Sequence, residues 1–311
     1  MKLSVIIPTR NGGKYLGRLF KTLEEQTFRP AQILVVDSSS NDDTLRICKA
    51  AGAETIQIGA KTFDHGRTRN LAASMTQGEI LVFTTQDALF KGNECLKNLI
   101  RPLESPAVAA SYGRQIPKED ANPVEKFVRF FNYPPMELIK GLDDLPKLGV
   151  KTFFFSNAFS AIKRNAFEEV GGFPNRAIMN EDMFLAAKLL MNGYKIAYQP
   201  DAVVYHSHNY SLTTQFKRYF DIGTFFNENR WIRDLTKPEG EGMRYLKEEI
   251  IFLSANGQKS WIAYALVDTA VRFLGYRVGF LGERLPLSLK KRVSRNKSFW
   301  EEEASPSSQI G

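Results

Sequence analysis

The 311-residue sequence predicts an α/β fold: a mostly parallel sheet flanked by helices, followed by a C-terminal helical extension. Three observations carry this expectation. Short β-branched runs alternate with helix-period stretches over the first 112 residues, the pattern of successive βαβ units. Thr9, Arg10, Asp37, Ser38 and Asp87 all fall where such runs end, and open α/β sheets bind ligands at the carboxyl ends of their strands. From about Thr213 the pattern becomes helical and aromatic-rich, which divides the chain into a domain over residues 1–212 and an extension over 213–311.

Taken in order, Leu3–Ile7 reads as a buried strand, and Leu16, Leu19, Phe20 and Leu23 repeat at helical spacing behind it. Ile33–Val36 is a second strand, and Asn41, Asp42 and Thr44 offer caps to a helix through Leu45 and Ile47. A strand over Glu54–Ile58, a helix over Thr68–Thr76 and a strand over Ile80–Thr84 follow. Residues 113–150 hold five prolines and an aromatic cluster without a clear period, and read as a mobile segment over the site. Regular structure resumes at Phe153–Phe155 and Ala158–Ile162; Gly171-Gly172-Phe173 is a turn, and Glu181-Asp182 opens a helix that stops at Asn192-Gly193. Lys195–Tyr198 and Val203–Tyr205 look like two strands, with His206 and His208 directly after them.

Composition narrows the function classes. Hydrophobic residues at 43% and charged residues at 24% exclude collagen-like and globally disordered chains. Two cysteines, Cys48 and Cys95, are too few for a disulfide scaffold or a four-thiolate metal site. The apolar run at the N-terminus is too short for a signal peptide or a spanning helix, so a cytoplasmic location is expected. Net charge is 42 − 34 = +8, favouring anionic partners. Part of the excess lies between Arg284 and Trp300, where Lys290, Lys291, Arg292, Arg295 and Lys297 meet no acidic residue. Trp261–Gly282 is apolar but interrupted by Asp268, Arg272 and Arg277, a poor spanning helix. Followed by the basic run, it fits a helix lying on an anionic membrane face; the alternative is a helix packed on the domain with a solvated basic tail. The last ten or so residues read as disordered. No groove-entering helix or stacking platform for nucleic acid is present in the pattern, so none is expected as a partner.

Seven segments together resemble the inverting family 2 glycosyltransferases of GT-A fold, closest to bacterial rhamnosyltransferase-like members. They are SVIIPTRN (4–11), VVDSSSNDDT (35–44), FDHGRTRN (63–70), TTQDA (84–88), GGF (171–173), NEDMFLAAKLLMNGYKI (180–196) and VVYHSHNYSL (203–212), in the family's order. The resemblance implies a Rossmann-like GT-A sheet, a nucleotide-sugar donor, a divalent metal (Mg2+ or Mn2+) and single displacement onto an acceptor hydroxyl. Such chemistry needs a cation or donors at the diphosphate leaving group and a base on the opposite side of the anomeric carbon.

Carried over by position, Asp37 binds the nucleotide, with Pro8, Thr9 and Arg10 lining the same pocket; an Asx turn is the plain alternative for Asp37. In FDHGRTRN, His65 contacts the donor, Gly66 lets the backbone approach it, Arg69 pairs with phosphate or steadies the nucleotide, and Asn70 orients the loop. Asp87 is the expected metal ligand, although Gln86 adjoins it where the family carries a paired carboxylate. Asp182 is the expected general base, beside Glu181. His206 or His208, or both, complete the metal site. The Gln86-Asp87 pattern with His65-Gly66 favours dTDP-rhamnose, with a UDP-hexose donor or a silent nucleotide-sugar-binding scaffold as alternatives. A saccharide or polyprenyl-linked acceptor is implied; the linkage formed and the oligomeric state stay open.

Overall fold

The computed structural model describes residues 1–236 and 241–303, so the expected disorder of the last residues lies largely outside the described ones. The strands are β1 (Leu3–Thr9), β2 (Gln32–Asp37), β3 (Glu54–Gln57), β4 (Ile80–Thr84), β5 (Leu89–Phe90), β6 (Val108–Ile116), β7 (Leu138–Lys140), β8 (Phe159–Lys163) and β9 (Lys195–Tyr205). They form one sheet in the order β3-β2-β1-β4-β8-β6-β9-β5, with β7 also on β9. β1 to β4 are parallel. β8 lies antiparallel between β4 and β6, and β9 is parallel to β6. Two antiparallel steps restore direction, so β1, β2, β4, β6 and β9 all end at one edge, where β8 begins. That edge collects every candidate residue on the sheet.

The first helices are α1 (Gly13–Glu24), α2 (Thr44–Ala50), α3 (His65–Ser74), α4 (Cys95–Ile100), α5 (Pro123–Asn132), α6 (Leu145–Leu148), α7 (Arg164–Glu169) and α8 (Glu181–Met191). The remainder are α9 (Leu212–Glu228), α10 (Arg230–Thr236), α11 (Glu241–Ala255), α12 (Ile262–Phe280), α13 (Leu287–Val293) and α14 (Lys297–Glu303). Successive β1 side chains face opposite sides of the sheet. Leu3, Val5 and Ile7 therefore enter one core with Leu16, Leu19 and Leu23 of α1, and Ile6 enters the other with Phe83, Phe173 and Leu185. A strand buried on both faces needs an unbroken apolar run, which SVII supplies.

The second core also takes Phe220, Phe225, Phe226, Ile232, Phe299 and Trp300. The extension is thus built onto the core beneath the sheet. α9 and α12 approach at glycines: a Cβ on Gly279 would lie 1.9 Å from the Phe220 carbonyl oxygen, and one on Gly223 2.1 Å from that of Tyr276. Two of the three polar interruptions of α12 face inward, where Asp268 and Arg272 pair at 2.5 Å, while Arg277 is exposed. Its opposite face exposes Leu266, Val267, Phe273 and Leu274. No helix of the described residues is long and apolar enough to cross a membrane.

Four expectations need correction. Residues 113–150 are regular: they finish β6, form α5 and α6 and add β7 to the sheet. Two of the prolines that suggested irregularity, Pro123 and Pro146, instead start helices, where proline's missing N–H costs nothing. Phe153 ends a 3-10 turn, so the following strand begins at Phe159. The two strands expected at 195–205 are one, broken in register near Pro200, which has no N–H for the ladder. The basic tail is not wholly solvated, because α14 buries Phe299 and Trp300 in the core.

Candidate active site

The carboxyl ends of β1 and β2 lie side by side, Thr9 opposite Asp37 and Pro8 opposite Val36. The loops beyond them brace each other. The Asn11 amide donates to Ser40 Oγ (2.7 Å), the Asn41 amide to Asn11 Oδ1 (3.0 Å) and the Gly13 amide to Asp42 Oδ2 (2.9 Å). Asp37 is buried and accepts from the Ser40 amide (3.0 Å) and hydroxyl, so the Asx-type turn is present. Gln86 folds back onto this loop, accepting from the Thr9 hydroxyl and the Arg10 amide (3.0 Å); the Arg10 side chain remains exposed. Asn11, Ser39 and Asn180 are the non-glycine residues with positive φ among the described residues, at +49°, +57° and +56°. All three border this strand edge, where strained backbone is held in place by its surroundings.

Past the end of β4, Asp87 is nearly buried and starts no helix; β5 follows it. His206 and His208, just beyond β9, converge on it with Nε2 atoms 3.4 and 3.6 Å from its oxygens and 3.1 Å from each other. Spacing by two brings both rings to one side of the chain. The tautomer of His206 follows from its partners. Gln115 Oε1 already accepts from Arg129 and lies 2.8 Å from His206 Nδ1, so Nδ1 carries the proton and Nε2 presents a lone pair. Burial depresses the basicity of His206 despite the facing Asp87 carboxylate, and burial with the neighbouring His206 pushes His208 down to about 3. Burial disfavours the Asp87 carboxylate, but His206, then His208 and Lys118, outweigh it: neutralising Asp87 requires a pH at which both imidazoles are already protonated, so its pKa stays well below the usual carboxylate range. Neutral imidazole nitrogens facing an ionised carboxylate form a set of electron-pair donors that a divalent cation satisfies. Lys118 Nζ, 3.0 Å from Asp87, holds the opposite charge there.

The second corner is built from α3 and α8. Asp64 caps α3 by accepting from the Gly66 and Arg67 amides (2.8 and 2.9 Å), starting the helix at His65, ahead of the expected Thr68. A Cβ on Gly66 would sit 1.9 Å from the Pro174 carbonyl oxygen, so the missing side chain lets this helix pack closely on that loop. Asn70 clasps the loop through both the amide (3.0 Å) and carbonyl (2.9 Å) of Phe173, as its loop-orienting role requires. Arg69, expected on a phosphate, instead pairs with Glu181 at 3.1 Å, both side chains buried. Burial opposes ionisation of Glu181, but Arg69, His65 and Asn157 reverse that and lower its pKa. Burial and the adjacent Glu181 charge push Asp182 up to about 7. Asp182 accepts from the Asn157 amide (3.3 Å) and the Met183 amide (2.8 Å). Burial also lowers the basicity of His65.

One hydrogen-bonded path joins the corners. Gln115, held against His206, donates through Nε2 to Ser156 Oγ (2.8 Å), and the next residue, Asn157, reaches Glu181 (3.1 Å) and Asp182. Gln115, Lys118 and Asn157 were missed in the sequence. Gln115 lay within reach of the rule that found Asp37, because it too ends a strand of this edge; Lys118 and Asn157 carry no motif.

Comparison with known proteins gives the class, a sugar-transferring enzyme built on this sheet. Residues 4–171 match the family described as Glycosyl transferase family 2. The chain belongs to that family, and its sheet has the GT-A architecture. It is 43% identical to the O-antigen chain rhamnosyltransferase RfbN of Salmonella typhimurium, over 96% of each chain. It is 44% identical to the O-antigen chain rhamnosyltransferase WbaN of Salmonella anatum, over 96% of this chain and 95% of that one. Among solved structures, the mannosyltransferase PcManGT of Pyrobaculum calidifontis, in complex with GDP-Man and Mn2+, shares the fold. Its TM-score is 0.65 at 18% identity, over 91% of this chain and 88% of that one.

Proposed function

We propose that this chain transfers L-rhamnose from dTDP-rhamnose, with inversion, to a saccharide or polyprenyl-linked saccharide in bacterial surface polysaccharide synthesis. The observation that carries the reading is near-full-length similarity to two O-antigen chain rhamnosyltransferases. The two-corner site supports it. Asp182 takes the proton from the acceptor hydroxyl. That oxygen bonds to the anomeric carbon as the bond to the donor's diphosphate oxygen breaks on the opposite face, inverting the centre. Glu181 sets the proton affinity of Asp182, with Arg69 and His65 keeping Glu181 ionised.

Asp87, His206 and His208 would hold the divalent cation, which supplies charge neutralisation at the departing dTDP. Two imidazoles beside one carboxylate suit Mn2+ better than the harder Mg2+. Asp37, Pro8, Thr9 and Arg10 form the nucleotide pocket, shaped by Gln86, and Gly66 acts by seating the loop at Pro174. In this reading residues 213–311 extend the 1–212 domain and keep the enzyme on the inner membrane face. The exposed Leu266, Val267, Phe273 and Leu274 of α12, together with the basic α13, support that location. Deleting residues 284–311 would not test it, since Phe299 and Trp300 would leave the core; Phe273→Glu should instead abolish binding to anionic vesicles while melting temperature holds.

Calorimetric titration with nucleotide sugars, with Mn2+ and then EDTA, tests the donor. Metal-dependent binding of dTDP-rhamnose followed by transfer is expected. Preference for a UDP-hexose would replace the donor, and donor binding without turnover on any lipid-linked saccharide would favour the scaffold.

A further inference from the structure

We propose that Arg295, from the basic tail, is a diphosphate-binding residue at the mouth of the Asp87–His206–His208 corner. The inference rests on reading that corner as the diphosphate site. The backbone around Arg295 is fixed from two sides. Buried Asp221 of α9 accepts from Ser294 Oγ (2.6 Å) and from the Arg295 amide (2.9 Å). Asn296 donates to the carbonyl of Ile178 (3.2 Å), two residues before Asn180 and the start of α8. Phe299 and Trp300 then lock the segment into the core.

The Arg295 side chain leaves this anchor and stays exposed. Its guanidinium carbon lies 4.9 Å from the centre of the Tyr210 ring. Tyr210 in turn stacks on His208, with ring centres 5.2 Å apart and planes within 19°. His208 touches Asp87, so Arg295, Tyr210 and His208 form a ladder ending in the site. The charge of Arg295 also acts, as the smallest of several influences, on His65 at the start of α3. A guanidinium held over an aromatic ring offers a planar fork of donors, the geometry that recognises phosphate oxygens in pairs. Lys290 of the same run sits instead over the Trp300 ring, at 4.8 Å.

The diphosphate is either that of the nucleoside diphosphate or that linking a saccharide to a polyprenyl chain, and two assays on the full-length protein with Mn2+ separate them. Calorimetry with dTDP reads the first. The KM for a synthetic polyprenyl-diphosphate saccharide, against the same saccharide without phosphate, reads the second. Arg295→Gln should weaken dTDP about tenfold, or raise KM about tenfold for the diphosphate acceptor alone, with Arg295→Lys recovering part. Asp221→Asn, which loosens the anchor, should move the same quantity in the same direction. An unchanged melting temperature in Arg295→Gln excludes tail release as the cause. If Arg295→Gln matches wild type in both assays, the inference is wrong. If wild type itself binds no nucleoside diphosphate with Mn2+, the parent reading falls and takes this one with it.

Discussion

The corner around Asp87 and the corner around Asp182 place carboxylates on one strand edge and treat them in opposite ways. Around Asp87 stand two imidazoles and Lys118, and the carboxyl is held ionised. Around Asp182 the nearest charge is Glu181, and the carboxyl titrates at about 7. Both are substantially shielded from water, so burial alone cannot separate them; the sign of the neighbouring charge does. An ionised carboxylate suits cation binding, and one that titrates near neutrality suits proton transfer. The same pleated edge therefore yields two chemistries by its choice of neighbours.

The contrast is most sharply tested at the base. Asp182→Asn should lower transfer by about 10²–10⁴-fold while dTDP affinity in Mn2+ stays unchanged by calorimetry. Loss of both together would merge the two corners into one function. Next in size, Asp87→Ala or His206→Ala should weaken metal-dependent dTDP binding by about 100-fold, and Gln115→Met, which removes the acceptor for His206 Nδ1, by about tenfold. The smallest effect is on the pH profile. Because Asp182 acts deprotonated, kcat should rise with pH through about 7 and level off above it. In Glu181→Gln the loss of a neighbouring negative charge should move that rise to lower pH. A rise unmoved in Glu181→Gln would mean that another group titrates.

The parallel half of the sheet was legible because a strand buried on both faces must be an apolar run, and its polar stop marks the site; Thr9, Asp37 and Asp87 were found that way. Pairing was not. Arg69 looks like a phosphate ligand until α8 brings Glu181 against it, a contact across 112 positions that no local pattern encodes. Gly66 has the same history, since its close neighbour is Pro174. The segment over 113–150 misled because proline signals both loops and first helical turns, and only the cap at Asn122, whose Oδ1 accepts from the Glu125 amide at 2.9 Å, decides between them. Lys118 and Asn157 act through position alone.

Phe299 and Trp300 close a core whose first strand is made some 290 residues earlier. During synthesis, this layer must wait, with an apolar hollow open, until Phe299 and Trp300 have left the ribosome. Polypeptides cut short before Phe299 would carry every motif of the enzyme and still present that hollow to chaperones and proteases. The interior of this layer is therefore sealed only once Phe299 and Trp300 have been made and docked.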